Sequence, residues 1–335
     1  MATQNNSPLP DGLELCGYRI VKKIASGGFS IVYLAYDEDG NAVAIKEYLP
    51  SALALRKPGE LSSHVSAANM PIFHLGMKCF FEEGRALAKI AHPNVVRVLN
   101  FFRANETVYM VMAYESGRTL QDHILHRRDM GVKPLLSEQF IRSIFAQIIS
   151  GLREVHANKL LHLDLKPANI YLRGTGTPLL LDFGAARQAS FNSDMPKRNT
   201  MYTPGFAPPE LYSKTAGVGP WTDIYGLGAS IFACMAGVPP QPWDQRKAHD
   251  KMELYLAKLD GMYSPEILGI VGNCLQINPL DRPQSLFELH KALLAPASEV
   301  KKDQPPTPPP SMGDRLRSLF SKKDKKSGGP TVIAE

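Results

Sequence analysis

Long apolar runs are missing from this sequence. Nowhere do about 18 hydrophobic residues follow one another, so no membrane-spanning helix is expected. Cysteine is scarce too. The four, Cys16, Cys79, Cys234 and Cys274, stand far apart with no C-x-x-C pair, which speaks for reduced structural thiols rather than a disulfide framework. Most of the chain also lacks an excess of one charge. The net charge is +6, but six basic residues and one acid between Arg315 and Lys326 supply +5 of it. The near-neutral remainder argues against a broad basic face, so no nucleic acid is expected as a partner. Met1–Asp11 lacks the basic and apolar halves of a signal peptide, so a cytoplasmic protein is expected.

What is present suits two core-forming lobes and a tail: 335 residues, 44% hydrophobic and 21% charged. Tyr18–Ile24 and Ile31–Tyr36 are rich in β-branched and aromatic residues and flank Ala25-Ser26-Gly27-Gly28-Phe29-Ser30, which predicts a hairpin. Its adjacent glycines fit either a plain turn or a loop whose N–H groups turn toward a phosphate. Asp39-Gly40 marks a second turn before a third strand, Ala42–Lys46. Lys46 is then either a solvated strand end or a cation that reaches nucleotide phosphates. Residues 47–71 carry Pro50, Pro58, Gly59 and Pro71 as breakers and are expected to form an irregular insertion.

Apolar positions from Ile72 to Ile90 recur at helical spacing, and His92-Pro93-Asn94 stops the pattern. Glu83 lies four residues before Leu87, hence on the inward face, where it could pair with Lys46. Residues 95–102 and 107–112 read as strands, and 113–117 as a connector. Beyond it, helices are expected over 120–128 and 138–157, the second capped by Ser137.

Leu161–Asn169 reads L-H-L-D-L-K-P-A-N. It brings together an imidazole, a carboxylate, an ammonium and an amide. Phosphoryl transfer to a hydroxyl asks for such a set, because its loose transition state needs positioning and charge neutralisation more than covalent help. Asp164 could accept the hydroxyl proton, Lys166 could neutralise the moving phosphoryl group, and Asn169 could offer an oxygen to Mg²⁺. Asp182-Phe183-Gly184 follows the apolar run Leu179–Leu181 and could chelate a cation that bridges phosphates. Asp223 opens an apolar helix running to about Met235. It reads either as a helix-start carboxylate or as a buried brace for the catalytic loop. A last helix is expected from Gln284 to Leu294.

In this order the motifs resemble those of the eukaryotic-type Ser/Thr protein kinases, over about Tyr18 to Leu294. V-A-I-K stands at Val43–Lys46, the helix-borne glutamate at Glu83, the catalytic loop at His162–Asn169, D-F-G at Asp182–Gly184, and Pro208-Pro209-Glu210 where A-P-E is usual. The style of these motifs looks bacterial. The resemblance implies an α+β, bilobal protein-kinase fold: a small antiparallel N-lobe sheet with one main helix, and a mostly helical C-lobe. Residues 1–16 would be an N-terminal extension, 17–114 the N-lobe, 115–295 the C-lobe and 296–335 a Pro-rich basic tail.

It also implies roles. ATP would be covered by Ile24, Ala25, Ser26, Gly27 and Gly28, together with Phe29, Ser30, Ile31 and Val32. Its base would lie near Ala44, Met112, Ala113 and Glu115. Lys46 would hold the α- and β-phosphates and be held by Glu83. Asp164 would be the catalytic base and Lys166 would meet the γ-phosphate, while Asn169 and Asp182 would bind Mg²⁺. Protein hydroxyls would be the acceptors. Glu210 would pair with Arg282, and Leu87, Val98, Phe183 and His162 would stack into a column anchored by Asp223.

Four positions, in three motifs, depart from the family pattern. Ala25 and Ser30 stand where glycine is common in the phosphate loop, and Pro208 replaces the alanine of A-P-E. Leu163 replaces the arginine that usually follows the catalytic-loop histidine. Without that guanidinium, a phosphorylated loop has no clamp there, and the expectation is activity without loop phosphorylation or a switch located elsewhere, such as the tail or the insertion before Ile72. Beyond the Pro-rich stretch 305–310, residues 315–326 form either a solvated basic tail or a docking helix for an acidic partner or an anionic membrane surface.

Overall fold

The computed structural model describes residues 6–183, 202–213 and 215–295. Gly184, the loop carrying Arg187, Ser190, Ser193, Lys197, Arg198 and Thr200, and the tail from residue 296 lie outside the described residues.

Alternation of side chains builds the first lobe. In β3 (Ser30–Tyr36), Ile31, Tyr33 and Ala35 are buried while Val32 and Leu34 point to the other face. This strand lies between β2 (Tyr18–Ser26) and β4 (Ala42–Tyr48). The sheet continues through β8 (Thr107–Ala113) to β7 (Val98–Ala104). At its other edge β1 (Glu14–Leu15) pairs with β2, so residues before 17 belong to the sheet. The tight turn is shorter than the sequence suggests. Strand structure runs to Ser26 and resumes at Ser30, leaving Gly27–Phe29 as the turn.

Helix α1 (Met70–Leu87) packs Phe73, Met77, Phe80 and Leu87 into the lobe's core. Two glycines let it approach. A Cβ at Gly76 would overlap the Tyr48 hydroxyl, and one at Gly84 would enter the Phe101 ring. The stretch between β4 and α1 is less irregular than its prolines predict. It forms a small hairpin, β5 (Ala54–Leu55) with β6 (His64–Val65), and Arg56 beside it is buried.

The second lobe is built on α3 (Glu138–Ala157) and α4 (Pro220–Ala236). Ser137 caps α3 as expected, accepting from the Phe140 N–H. Nearly every residue of α4 is buried, which fits a helix that is apolar all round. Around this pair stand α2 (Leu120–Asp129), α7 (Pro265–Cys274) and α8 (Leu286–Leu294). The short helices α5 (Trp243–Ala248) and α6 (Met252–Ala257), like α7, lie in a stretch for which the sequence offered no assignment. A small sheet of β9 (Gly117–Thr119), β10 (Ile170–Arg173) and β11 (Pro178–Leu180) is preceded at β10 by the loop Leu161–Asn169 and followed after β11 by Asp182. Among the described residues no helix is long and apolar enough to cross a membrane.

Candidate active site

A cleft of about 370 Å³ is lined by Ala25–Ser30, Val32, Lys46, Phe80, Glu83, Asp164, Lys166, Ala168, Asn169, Asp182 and Phe183. Residues from both lobes thus meet in one space, as the motif order implied. Each is delivered by a simple local device. Lys46 sits opposite Val32 in the β3–β4 register, and both face the cleft. Glu83 is buried on the inner face of α1. Asp164, Lys166 and Asn169 come from the loop before β10, where a short 3-10 turn over Pro167–Asn169 folds the amide back.

The catalytic loop is internally wired. Lys166 Nζ lies 2.9 Å from Asp164 Oδ2 and donates to Thr203 Oγ1 at 2.9 Å. The Asn169 amide nitrogen donates to the Asp164 carbonyl at 2.9 Å and to its carboxylate at 3.0 Å, leaving the amide oxygen for a cation. The backbone N–H of Leu181 donates to the Asn169 carbonyl at 2.9 Å, tying the two candidate metal-binding segments together.

Asp223 is the buried brace. Its Oδ2 accepts from the His162 N–H at 2.9 Å and its Oδ1 from the Leu163 N–H at 2.8 Å, while His156 Nε2 lies 2.8 Å from Oδ2. His162 donates from Nε2 to the Leu181 carbonyl at 2.9 Å, and its ring meets that of Phe183 at 4.4 Å between centroids. Leu87, Val98 and Phe183 are buried too. Burial outweighs the neighbouring Asp223 and Asp164 carboxylates and holds the His162 imidazole below its ordinary pKa.

Lys46 forms its ion pair with Asp182, Nζ to Oδ1 at 2.9 Å. Burial opposes the ammonium charge, but the charges of Asp182 and then Glu83 more than compensate, raising its pKa. Burial likewise opposes ionisation of Asp182. Lys46 outweighs it and holds that carboxyl below its usual range. Glu83 adds its charge to that of the D-F-G aspartate in favouring the Lys46 ammonium.

Not every expected nucleotide contact lines this cleft. Ile31 is buried on the opposite face of β3, in the core, because strand alternation turns it away from Val32. Ile24 is 41% exposed, outside the lining set. Ala44 and Met112 are partners across the β4–β8 register. Ala113 donates its N–H to the Arg97 carbonyl, and Glu115 pairs with Arg173 at 3.0 Å. These four lie along the edge that joins the lobes, beyond the lining set.

The donors fit Mg²⁺. Among the described residues no cluster of three or more His, Cys, Asp and Glu side chains could enclose a metal. Asn169 and Asp182 supply two hard oxygens, which suits an ion that keeps several waters and leans on substrate phosphates.

Glu210 pairs with Arg282 as expected, Oε1 to NH1 at 2.6 Å and Oε2 to NH2 at 3.0 Å, both side chains buried. Arg282 also donates to the carbonyls of Gln276, Trp221 and Ile277 and lies over the Tyr225 ring.

A profile of the protein kinase domain matches residues 18–294. The carbon catabolite-derepressing protein kinase of Saccharomyces cerevisiae is 27% identical over 291 residues, covering 84% of this chain and 41% of the yeast protein. Human serine/threonine-protein kinase Nek5 is 30% identical over 273 residues, covering 79% of this chain and 35% of Nek5. The chain thus spans well under half the length of these two relatives. Among solved structures, the apo form of PpkA-294 shares 36% identity with a TM-score of 0.74, covering 86% of this chain and all of that one. The PknI kinase domain of Mycobacterium tuberculosis, at 22% identity and a TM-score of 0.59 over 86% of this chain and 98% of its own, shares the fold.

Proposed function

This chain belongs to the protein kinase family, and from that premise we propose that it transfers the γ-phosphoryl group of ATP to serine or threonine hydroxyls of proteins. One observation carries the reading: Lys46, Asp164, Lys166, Asn169 and Asp182, five groups from three separate segments of the chain, line a single cleft roofed by the glycine turn. Asp164 orients the acceptor hydroxyl and takes its proton. Lys166, held between Asp164 and Thr203, offsets charge on the moving phosphoryl group. Lys46 positions the α- and β-phosphates. Mg²⁺, bound by Asn169 and Asp182, would neutralise phosphate charge.

Two rivals fit less well. A scaffold without catalysis has no use for this complete set of charged groups. A small-molecule phosphotransferase has no evident need for the Lys166–Thr203 bond, which joins the catalytic loop to the segment leading to Pro208-Pro209-Glu210. Incubation with labelled ATP, Mg²⁺ and a generic protein substrate, beside Asp164→Asn, tests all three. Label on serine or threonine of the substrate and of the enzyme itself, lost in the variant, supports the kinase with autophosphorylation. Tight ATP binding without transfer supports the scaffold.

Leu163 makes this a kinase without the usual catalytic-loop arginine, and we take its activity to be independent of loop phosphorylation. We also carry forward a cytoplasmic location and contact of residues 315–326 with an acidic protein or an anionic surface, on the strength of their charge. Co-sedimentation with phosphatidylserine vesicles, with and without those cations replaced by glutamine, tests the surface. No difference between the two would remove it.

A further inference from the structure

We propose that Leu163 is a positioning residue: an apolar latch that holds the segment 202–211 against the catalytic loop and so presents the protein substrate to Asp164 without any phosphate. The inference rests on the kinase reading and says how its acceptor side is assembled.

Leu163 lies between His162 and Asp164 with φ of +60°, in the left-handed region that non-glycine residues avoid. Its N–H is fixed by Asp223 Oδ1. This backbone turn sends its side chain out of the ATP cleft, which it does not line, and into a small cluster of its own. There Leu163 is 4% exposed and packs with Ala207 and Leu211, flanked by Leu161 and Tyr202. The cluster is separate from the main core. Leu161 and Leu163 come from the catalytic loop, and the other three from the segment beyond the D-F-G loop. An arginine could not occupy this place without burying a charge among apolar groups.

The same segment has two polar moorings. Thr203 accepts from Lys166 beside the catalytic carboxylate. At the far end Glu210 is gripped by Arg282 and by the Thr222 hydroxyl at 3.0 Å. Between these moorings Phe206 packs into the main core, and the Leu163 cluster adds the apolar hold that ties Ala207, and Leu211 just beyond Glu210, to the catalytic loop itself. Where an arginine clamp needs a phosphate to complete it, the leucine cluster is complete from described residues alone. Its strength derives from burial and is not switched by charge.

The test uses the full chain after exhaustive phosphatase treatment. Steady-state kinetics are measured for a protein substrate and for ATP in the wild type, Leu163→Ala and Leu163→Met, with melting curves to verify folding. The Ala variant should lose about tenfold or more in kcat/KM for the protein substrate while its KM for ATP moves by less than about threefold, since the misplaced part is the acceptor side. Methionine, similar in volume and apolar, should restore most of the loss. Unchanged protein-substrate kinetics in Leu163→Ala, or an equal deterioration toward ATP, would overturn the latch. Should the alanine variant fail to fold, Leu211→Ala removes the opposite wall and must show the same split. A wild type that labels no protein at all would instead overturn the kinase reading.

Discussion

Lys46 Nζ and Asp182 Oδ1 stand 2.9 Å apart, so the cation proposed to meet nucleotide phosphates and the carboxylate proposed to meet the metal are direct neighbours. Each shifts the other's ionisation toward the charged form against the cost of burial. Losing either removes the other's nearest counter-charge in the cleft.

Lys46→Ala and Asp182→Ala are each expected to reduce transfer below detection or nearly so. Removing one such positioning charge costs on the order of 3 kcal/mol in the transition state, about a hundredfold or more in kcat/KM. Initial-rate assays with labelled ATP check this. Near-normal turnover in either variant would sink the assignment of roles.

Arg282→Ala should destabilise the second lobe by roughly 3–5 kcal/mol, because it strands a buried carboxylate on Glu210. Arg282→Lys should recover only part of this. An ammonium cannot reproduce two bonds to the carboxylate and three to main-chain carbonyls at once. Urea unfolding curves distinguish the variants, and equal midpoints for the wild type and Arg282→Ala would refute a structural role.

Most of the site was legible in the sequence because phosphoryl transfer restricts residue type and order together. V-A-I-K, H-L-D-L-K-P-A-N and D-F-G each name a position on a strand end or loop, and those positions do converge. Burial and pairing were less legible. Ile31 was counted with the phosphate loop, although strand alternation beside Val32 turns it into the core. The Lys46–Asp182 ion pair was not read from the sequence, because how α1 and the D-F-G segment are set around Lys46 is not encoded in spacing. Arg56 gave no signal at all. It sits among prolines and glycines, yet a neighbouring strand supplies the acid that allows its burial. Leu163 was read only as a missing arginine, because its partners Ala207 and Leu211 are some 45 residues away in the chain and carry no motif.

Arg56 ties the N-terminal segment to the back of β4. It bonds both carboxylate oxygens of Glu47, the Tyr33 hydroxyl at 2.9 Å and the Ser7 carbonyl at 2.8 Å, while Asn6 accepts from its backbone N–H. Tyr33 and Tyr109 also donate to Glu47. Arg56→Ala is therefore expected to cost roughly 3–5 kcal/mol by stranding Glu47. Arg56→Met with Glu47→Leu should be milder, since no charge is left unpaired. Limited proteolysis near residues 6–12, faster in the single variant than in the double, would register the loosened segment. Equal rates would mean that the segment is held by Leu9 burial and its main-chain hydrogen bonds rather than by the Arg56 side chain.

The last expectation concerns pH. Burial lowers the pKa of His162 in the folded chain beneath its ordinary 6.5, and His92, His123 and His290 are shifted the same way by burial. Its contacts agree with a neutral ring: Nε2 donates to the Leu181 carbonyl, and Nδ1 faces the Asp164 N–H at 3.4 Å. Below pH 6.5 the unfolded chain therefore binds protons that the folded chain does not. Stability must rise with pH through this range and level off above it. Asp182, whose carboxyl is held below its usual 3.8, acts in the same direction at still lower pH: its contribution is present above 3.8 and lost as pH falls through the depressed value. Urea unfolding at a series of pH values between about 5 and 7.5 should show free energies that climb and then flatten. His162→Phe keeps an aromatic ring beside Phe183 but takes up no proton. It should be less stable at neutral pH, having lost the bond to Leu181, and should show a shallower climb. If the slope in this variant equals that of the wild type, the proton uptake belongs to the more exposed histidines and His162 is not held neutral by the fold.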